Sequence, residues 1–398
     1  MDLAVEDLKL HKGRFIATVI GVGLLFGSVL AMNGIYRGLI YEGTALIKVI
    51  DPDLWVVQRY RGGPFNEQST LPEFFHYGIK SIPGVEKASP FIFYTVERII
   101  DGKSRHFSII GYDVFGGLGG PKMIVAGRRI EQAHYEMVAS VKLGVHLRQR
   151  ISLGLHTYTV VGLTNDAVDP DGDPIVYLSL HDAQEVLYQQ ANEEVRNERQ
   201  RLFHTISGQS WITPDKAQKL LIPLEADTHI INAVLLKLKP GANSARAHRM
   251  IEKWRYLNAF STKDEVGLVL KGRLTSILHQ LLLFRVLLML ISVVIISLVV
   301  YTFTMEKIRS IAVMKLIGAP DREIVRLVME QSLLLAASGF IFGLILISIT
   351  YTKFPRLVLL VPVDEVITCI AAIGGGVLAS LLGLRHALKA EPAMAMGG

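Results

Sequence analysis

Three features of this chain combine residue types and spacing that could do chemistry: a run of carboxylates, a glycine cluster and a short apolar segment flanked by charge. The carboxylate run, residues 166–173, has oxygen ligands at the close spacing that Ca²⁺ sites use. Counted from Asp169, however, the sixth position is Pro174 and the twelfth is Leu180, where an EF-hand loop requires Gly and Glu. The run is therefore interpreted as a solvated turn, with a metal site as the weaker alternative. Its carboxylates are Asp166, Asp169, Asp171 and Asp173.

The glycine cluster at residues 116–122 does not have the spacing of a phosphate-binding loop. Lys122 is followed by Met123 rather than by Ser or Thr, so the G-x-x-x-x-G-K-[ST] pattern is not met. We interpret the cluster as a flexible loop. The twelve histidines form no H-E-x-x-H motif, and no G-x-S-x-G elbow occurs. The chain is thus expected to bind no metal or cofactor itself and to be no enzyme.

The apolar segment, residues 306–319, is predicted to form a short helix that docks on another surface. Seven of the ten residues from Ile308 to Ile317 are apolar, which a solvated loop does not need. Gly318 is predicted to end this helix as its C-cap. The residues alone fit equally a helix docked in a groove of a cytoplasmic partner and an interfacial helix without one. The candidate coupling residues are Glu306, Lys307, Ile308, Ile311, Ala312, Met314, Lys315, Ile317, Gly318 and Ala319.

The elements that must position this segment are strongly apolar. The chain has 398 residues, of which 50% are hydrophobic and only 20% are charged, and its mean hydropathy is +0.37. Soluble domains carry about 25% charge. Four windows without Asp, Glu, Lys or Arg each reach the length that an α-helix needs to cross a bilayer. This pattern excludes a soluble enzyme and an ordinary nucleic-acid binder. The windows are residues 15–36, 286–305, 331–352 and 366–384.

The expected fold is an α+β membrane protein with four transmembrane helices and a large extracytoplasmic α+β domain between helices 1 and 2. This domain, residues 37–261, is expected to combine a split α/β module with an inserted β-rich subdomain at about 115–228. A helical pattern that starts at Thr262 predicts one unbroken helix into the second span, with residues 262–285 as a stalk. The other segments are an amphipathic head at 1–14, a cytoplasmic loop at 306–330, an external loop at 353–365 and a tail at 385–398.

The distribution of Lys and Arg predicts the orientation of these spans. The head, the 306–330 loop and the tail together carry ten basic residues, and the 353–365 loop carries two. By the positive-inside rule, both termini lie in the cytoplasm and the large domain lies outside it. The single cysteine, Cys369, allows no intrachain disulfide.

Small residues inside the windows predict close helix packing or a dimer contact, because they let two backbones approach. No charged residue lies within a window, so a polar pathway across the bilayer is not indicated. The packing candidates are Gly23, Gly27, Gly375, Gly376, Ala379 and Gly383.

The apolar segment also resembles the coupling region of MacB/FtsX/LolC-type ABC transporter permeases, the type VII or mechanotransmission superfamily. The similar elements are the pair Glu306-Lys307, the run Ile311–Met314, Lys315, the pair Leu316-Ile317 and the pair Gly318-Ala319. The head at 8–20, the tail at 385–393 and the order of spans resemble the family as well. Residues 53–57 and 125–128 are similar to the DevC-like exporter branch. Ser310 departs from the family, in which an acidic residue is common at that position.

The resemblance implies a multi-pass permease subunit of the inner (cytoplasmic) membrane. It implies a second permease, with a homodimer expected, and two copies of an ABC ATPase subunit that uses ATP and Mg²⁺. A periplasmic membrane-fusion adaptor and the lipid bilayer are further expected partners; nucleic acid is not. The expected function is export or extrusion of a hydrophobic or periplasmic substrate by mechanotransmission. Alternatives are lipoprotein release, activation of cell-wall hydrolases without transport and, in a different class, a membrane-anchored ligand sensor.

Overall fold

A computed structural model describes residues 12–154, 156–166, 168–187, 230–306, 313, 317, 318 and 320–388. Contacts divide the chain into two compact units. The helical unit comprises Met1–Leu39 and Ser276–Gly398, and the sheet unit comprises Ile40–Thr275.

The first described element is a long apolar helix, α1 (Lys12–Ile50). The predicted first span ended at residue 36, and the helix continues beyond it to Ile50, where its residues from Ile40 onward belong to the sheet unit. No proline interrupts this stretch before Pro52, and glycine is tolerated in a helix that is held by packing.

The sheet unit is built on a ten-stranded sheet together with a two-stranded ribbon of β2 and β10. The sheet order is β12-β1-β11-β3-β4-β9-β6-β8-β5, and β7 pairs with β8. The β4–β9 and β6–β8 pairs are parallel, and the other pairs are antiparallel. In chain order the elements are β1 (Leu54–Gln58), β2 (Leu71–Pro72), α2 (Phe75–Lys80), β3 (Val85–Ile100), β4 (Lys103–Tyr112), β5 (Ile124–Gly127), β6 (Glu136–Ser140), β7 (Arg150–Leu153), β8 (His156–Thr164), β9 (Ile175–Ser179), β10 (Ile230–Ile231), β11 (Ala233–Leu238), α3 (Ser244–Glu252), β12 (Leu257–Ser261) and α4 (Thr262–Lys271).

A hairpin with its turn at Asp101 and Gly102 joins β3 to β4. Both residues have positive φ, 50° and 73°, as the tight two-residue hairpin turn requires. The described strands of the predicted inserted β-rich part do not form a sheet of their own. Residues Ser108–Tyr112 of β4 pair in parallel with Ile175–Ser179 of β9, so the inserted strands extend the same sheet. This pairing satisfies the backbone groups that a free edge of β4 would expose.

The helix predicted to run unbroken from Thr262 is interrupted. The helix α4 ends at Lys271, and α5 (Thr275–Glu306) begins after a break at Gly272, whose backbone angles are φ −97° and ψ −89°. Asn66 packs against this glycine, where a Cβ would collide with its side-chain amide. The break therefore depends on a residue about two hundred positions away, which a local pattern does not reveal.

The core of the sheet unit contains a cluster of buried aromatic rings. Trp55, Phe65 and Phe91 meet edge to face, with ring centroids 5.3–6.2 Å apart, and Phe93 packs on Phe65 at 4.8 Å. Because such rings bury large apolar areas and prefer this geometry, they anchor the loop at residue 65 onto β1 and β3.

The helical unit consists of the first part of α1 with α5, α6 (Asp321–Thr350) and α7 (Pro362–Leu388). Among the described residues, three helical stretches are long and apolar enough to cross a membrane: Phe15–Ile50, Thr275–Glu306 and Arg322–Lys353. They suggest membrane insertion. The fourth predicted span falls in α7 and stays a prediction. The buried core joins Val22 and Phe26 of α1 to Ile296 of α5, Leu335 of α6 and Ala372 of α7.

Candidate functional site

The described part of the coupling segment presents an exposed apolar side chain at a helix end. Glu306 is the last residue of α5. The backbone N–H of Ile317 donates to the Val313 carbonyl at 3.1 Å, and Gly318 follows with φ +92°. A helical turn that ends at a left-handed glycine is what the C-cap prediction describes. The Ile317 side chain is 82% exposed. The other candidate coupling residues lie outside the described residues: Lys307, Ile308, Ile311, Ala312, Met314, Lys315 and Ala319.

The glycines singled out in the first window face α6. A Cβ at Gly27 would lie 3.4 Å from the Gly343 carbonyl, and one at Gly343 would lie 2.7 Å from Gly23 O. The α1 and α6 backbones are therefore in close contact, as small residues allow. Sequence reasoning missed Gly339 and Gly343, whose four-residue spacing on α6 repeats that of Gly23 and Gly27 and could have marked the pair.

The glycines singled out in α7 face two other helices. A Cβ at Gly375 would lie 2.9 Å from the Val293 side chain of α5, and one at Gly376 would lie 3.2 Å from Ala336 of α6. The environments of Ala379 and Gly383 lie outside the described residues. A role for any of these glycines in a dimer stays a prediction.

A buried polar cluster that sequence reasoning missed joins α1, α5 and α7. It comprises Asn33, Arg37, Arg285, Asp364 and Thr368 and is called the polar cluster below. Arg37 holds Asp364 in a two-pronged ion pair, with Nε to Oδ2 at 2.8 Å and Nη2 to Oδ1 at 3.1 Å. Arg285 donates from Nη1 to the Asn33 Oδ1 at 3.2 Å, and Asn33 donates to the Thr368 hydroxyl at 3.2 Å.

Three residues of the polar cluster are almost inaccessible to solvent. Asn33, Asp364 and Thr368 are at most 9% exposed, so each must find its hydrogen bonds within the protein. The two ion-pair partners, Arg37 and Asp364, are 327 positions apart and lie just outside different charge-free windows. Their position at window ends was a visible signal, but nothing in the spacing indicated that they pair.

A cavity of about 280 Å³ opens beside the polar cluster. Its polar wall is Asn33, Arg285, Asp364 and Thr368. Its apolar wall is formed by Val29, Val286, Met289, Leu290 and Ile367. A cavity with an apolar wall and a few convergent polar groups is the usual form of a small-ligand site.

Within the sheet unit, a second polar constellation fixes the break between α4 and α5. The side-chain amide of Asn66 donates to Leu268 O at 3.2 Å, and its oxygen accepts the Arg273 N–H at 3.0 Å. Arg273 pairs with Asp171 through Nε at 2.9 Å and through Nη2, and its Nη1 donates to Phe65 O at 2.9 Å. Arg273 directly follows Gly272, and its side chain thus holds this point of the chain to two loops of the sheet unit.

The carboxylate run is folded onto itself as a structural turn. Asp169 is fully buried and accepts the Ser108 hydroxyl at 2.6 Å and the N–H groups of Asp171 and Asp173 at 2.9 and 2.7 Å. Burial raises the pKa of Asp169 to about 6, and these hydrogen bonds oppose the rise. Asp166 accepts the Met123 N–H at 2.9 Å. The run is therefore not wholly a solvated turn. No group of three or more His, Cys, Asp or Glu suited to a metal occurs among the described residues.

The glycine cluster interpreted as a flexible loop is packed against the sheet. The Leu118 N–H donates to the Ser89 hydroxyl at 2.9 Å, and a Cβ at Gly119, where φ is +97°, would lie 2.9 Å from the Phe91 ring. The Phe91 ring leaves no room for a Cβ at Gly119, so the loop requires glycine at this point.

One further group in the sheet unit is unusual. Glu265 of α4 is fully buried, and neither of its carboxyl oxygens has a hydrogen bond of ordinary geometry. Burial raises the pKa of Glu265 to about 8, and the nearby backbone of Phe65 opposes the rise only in part. Its carboxyl group packs against Gly63, which has φ +85°.

Two known domain families match the sequence of this chain. The MacB-like periplasmic core domain matches residues 15–254, and the FtsX-like permease C-terminal domain matches residues 282–392. An uncharacterized ABC transporter permease of Mycobacterium tuberculosis is 26% identical over 400 residues, and one of Mycobacterium bovis is 24% identical over 397. Each alignment covers 99% of this chain and 99% of the relative.

Solved structures show a weaker likeness. The periplasmic region of MacB from Actinobacillus actinomycetemcomitans matches 55% of this chain and 92% of its own, with 10% identity and a TM-score of 0.32. The extracellular domain of the ABC-type transporter YknZ from Gram-positive bacteria matches 52% of this chain and 100% of its own, with 11% identity and a TM-score of 0.30. The family matches together span both units, and the chain belongs to the MacB/FtsX family of ABC transporter permeases.

Proposed function

We propose that this chain is the permease subunit through which a separate ABC ATPase moves an extracytoplasmic domain to export or extrude a hydrophobic or periplasmic substrate. The coupling segment at 306–319 receives the motion of two ATPase subunits that bind ATP and Mg²⁺. The helices α1 and α5 carry it across the inner membrane to the sheet unit. Both termini are cytoplasmic in this arrangement, and a second copy of the chain completes the transporter.

The observation that carries this proposal is the exposed apolar helix end at Ile317. A side chain of this size that is 82% exposed next to a left-handed glycine is suited to insert into a groove of another protein. The break at Gly272 adds a second support. Because Arg273, two residues before α5, binds Asp171 and Phe65 O, a displacement at the start of α5 would be passed through Arg273 to these loops of the sheet unit.

The test replaces Ile317 with Asp in the chain co-expressed with the ABC ATPase proposed as its partner. A buried carboxylate in the ATPase groove costs several kcal/mol unless it is paired, so co-purification and permease-stimulated ATP turnover should fall at least about tenfold. Ile99→Asp is the matched control, because Ile99 is 79% exposed but lies in the sheet unit. Undiminished co-purification and turnover in Ile317→Asp would refute the coupling role.

A further inference from the structure

We propose that the cavity beside the polar cluster binds one anionic glycerophospholipid, with the lipid phosphate on Arg285 and an acyl chain along the apolar wall. The inference concerns a ligand site within the helical unit. It shares with the proposed function only the insertion of these helices in a membrane.

Charge defines the polar end of the site. The carboxylate of Asp364 is already held by both prongs of the Arg37 guanidinium. The hydrogen-bond partner that the structure shows for Arg285 is the neutral amide of Asn33. Among the described residues no carboxylate pairs with Arg285, so the cluster carries one net positive charge beside the cavity. A guanidinium with remaining N–H donors is matched to a phosphate, which accepts two parallel hydrogen bonds.

The apolar wall defines the other end. It consists of hydrocarbon side chains from α1, α5 and α7, and three of them are exposed: Val286 at 50%, Leu290 at 59% and Ile367 at 57%. The cavity thus opens laterally, toward the place where acyl chains lie around a membrane-inserted helix. Its volume of about 280 Å³ is at the lower limit of small-ligand pockets, which accommodates a headgroup and the upper part of one chain.

The two ends together favour an amphiphile over a free anion. Arg285 lies ten residues from the start of α5, and Asp364 lies in the first turn of α7. Arg285 directly precedes the charge-free window 286–305, and Asp364 lies two residues before the window 366–384, so both charges lie at the depth where lipid phosphates meet the hydrocarbon. A soluble anion would gain the contact with Arg285 alone. A phospholipid gains that contact and also packs an acyl chain against the apolar wall, which a soluble anion leaves unfilled.

Native mass spectrometry of the full-length chain released from detergent tests the site. The probes are dioleoylphosphatidylglycerol, dioleoylphosphatidylcholine and inorganic phosphate. We expect one phosphatidylglycerol per chain, held at least about tenfold more tightly than phosphatidylcholine, because the phosphate of phosphatidylcholine carries a cationic choline that the net positive charge of the polar cluster repels. Arg285→Gln should lose this preference, Arg285→Lys should retain part of it, and Lys353→Gln, an exposed cation of the same unit, should leave it unchanged.

A second variant tests the apolar wall without touching the charge. Leu290→Trp fills the cavity and should weaken phosphatidylglycerol binding about tenfold. Equal binding of both lipids, or equal binding by Arg285→Gln and the parent chain, refutes the proposal. So does complete displacement of the lipid by inorganic phosphate, which would indicate an anion site only. Quantitative disulfide formation between copies of Leu290→Cys in a Cys369→Ser background would show that a second copy covers the cavity instead. None of these outcomes depends on the ATPase, so the site and the coupling role can fail separately.

Discussion

Removal of the buried acid Glu265 is expected to stabilise the sheet unit at neutral pH. The carboxyl group is fully buried, and burial raises its pKa from 4.5 to about 8. At pH 7 the native state therefore keeps a proton that the unfolded chain has released. Burial of this acid therefore lowers the stability of the sheet unit. The loss is zero below pH 4.5, grows between pH 4.5 and 8, and is constant above pH 8. Glu265→Gln abolishes this titration because an amide is neutral throughout.

The size of the effect follows from the two pKa values. Each pH unit between them is worth about 1.4 kcal/mol, so the cost at pH 7 is about 3 kcal/mol as an upper limit. For a unit of this length, the melting temperature of Glu265→Gln should exceed that of the parent by roughly 6–12 °C at pH 7. At pH 4.5 the two proteins should differ little, because the acid is neutral in both states.

Tryptophan fluorescence during thermal unfolding of the full chain in detergent measures this difference. All three tryptophans, Trp55, Trp211 and Trp254, belong to the segment of the sheet unit, so the signal reports on that unit. The exposed Glu86→Gln controls for a general loss of negative charge. Melting temperatures that differ by the same amount at pH 5 and pH 7.5, or not at all, would show that Glu265 is not a buried, unpaired acid.

Two further substitutions test the contacts that shape each unit. Gly38→Ala would place a methyl group onto the Leu357 carbonyl oxygen, so the melting temperature should drop by several degrees, whereas Gly374→Ala, which meets nothing within 4 Å, should leave it unchanged. Asp171→Asn should weaken the hold on Arg273 and increase amide hydrogen exchange at the start of α5, since the charge-assisted pair is worth about 1.5–3 kcal/mol. Unchanged exchange there would argue against a fixed helix break.

Local patterns predicted those features whose cause is local. The turn at Asp101 and Gly102 follows from two residues that tolerate positive φ. The positive φ of Gly318 reflects the same conformational freedom. The apolar windows correspond to long helices because an α-helix pairs its own backbone N–H and C=O groups, whatever surrounds it.

Predictions failed where a distant residue decides the outcome. The continuous helix from Thr262 was wrong because Asn66 supplies hydrogen bonds that replace those lost at Gly272. The local pattern also did not reveal that the inserted strands extend the main sheet, because β9 returns from a distant part of the chain to pair with β4. Neither partner is visible in a window of ten or twenty residues.

Composition and charge placement by themselves determined that this chain is built from apolar helices and one large mixed domain, since hydrocarbon length and helix period leave few alternatives. Only the tertiary structure decided that Arg37 and Arg285 have different roles. One is neutralised by Asp364 and the other is left beside a cavity. Ion pairs between residues hundreds of positions apart depend on how helices pack, and packing is a property of the whole fold.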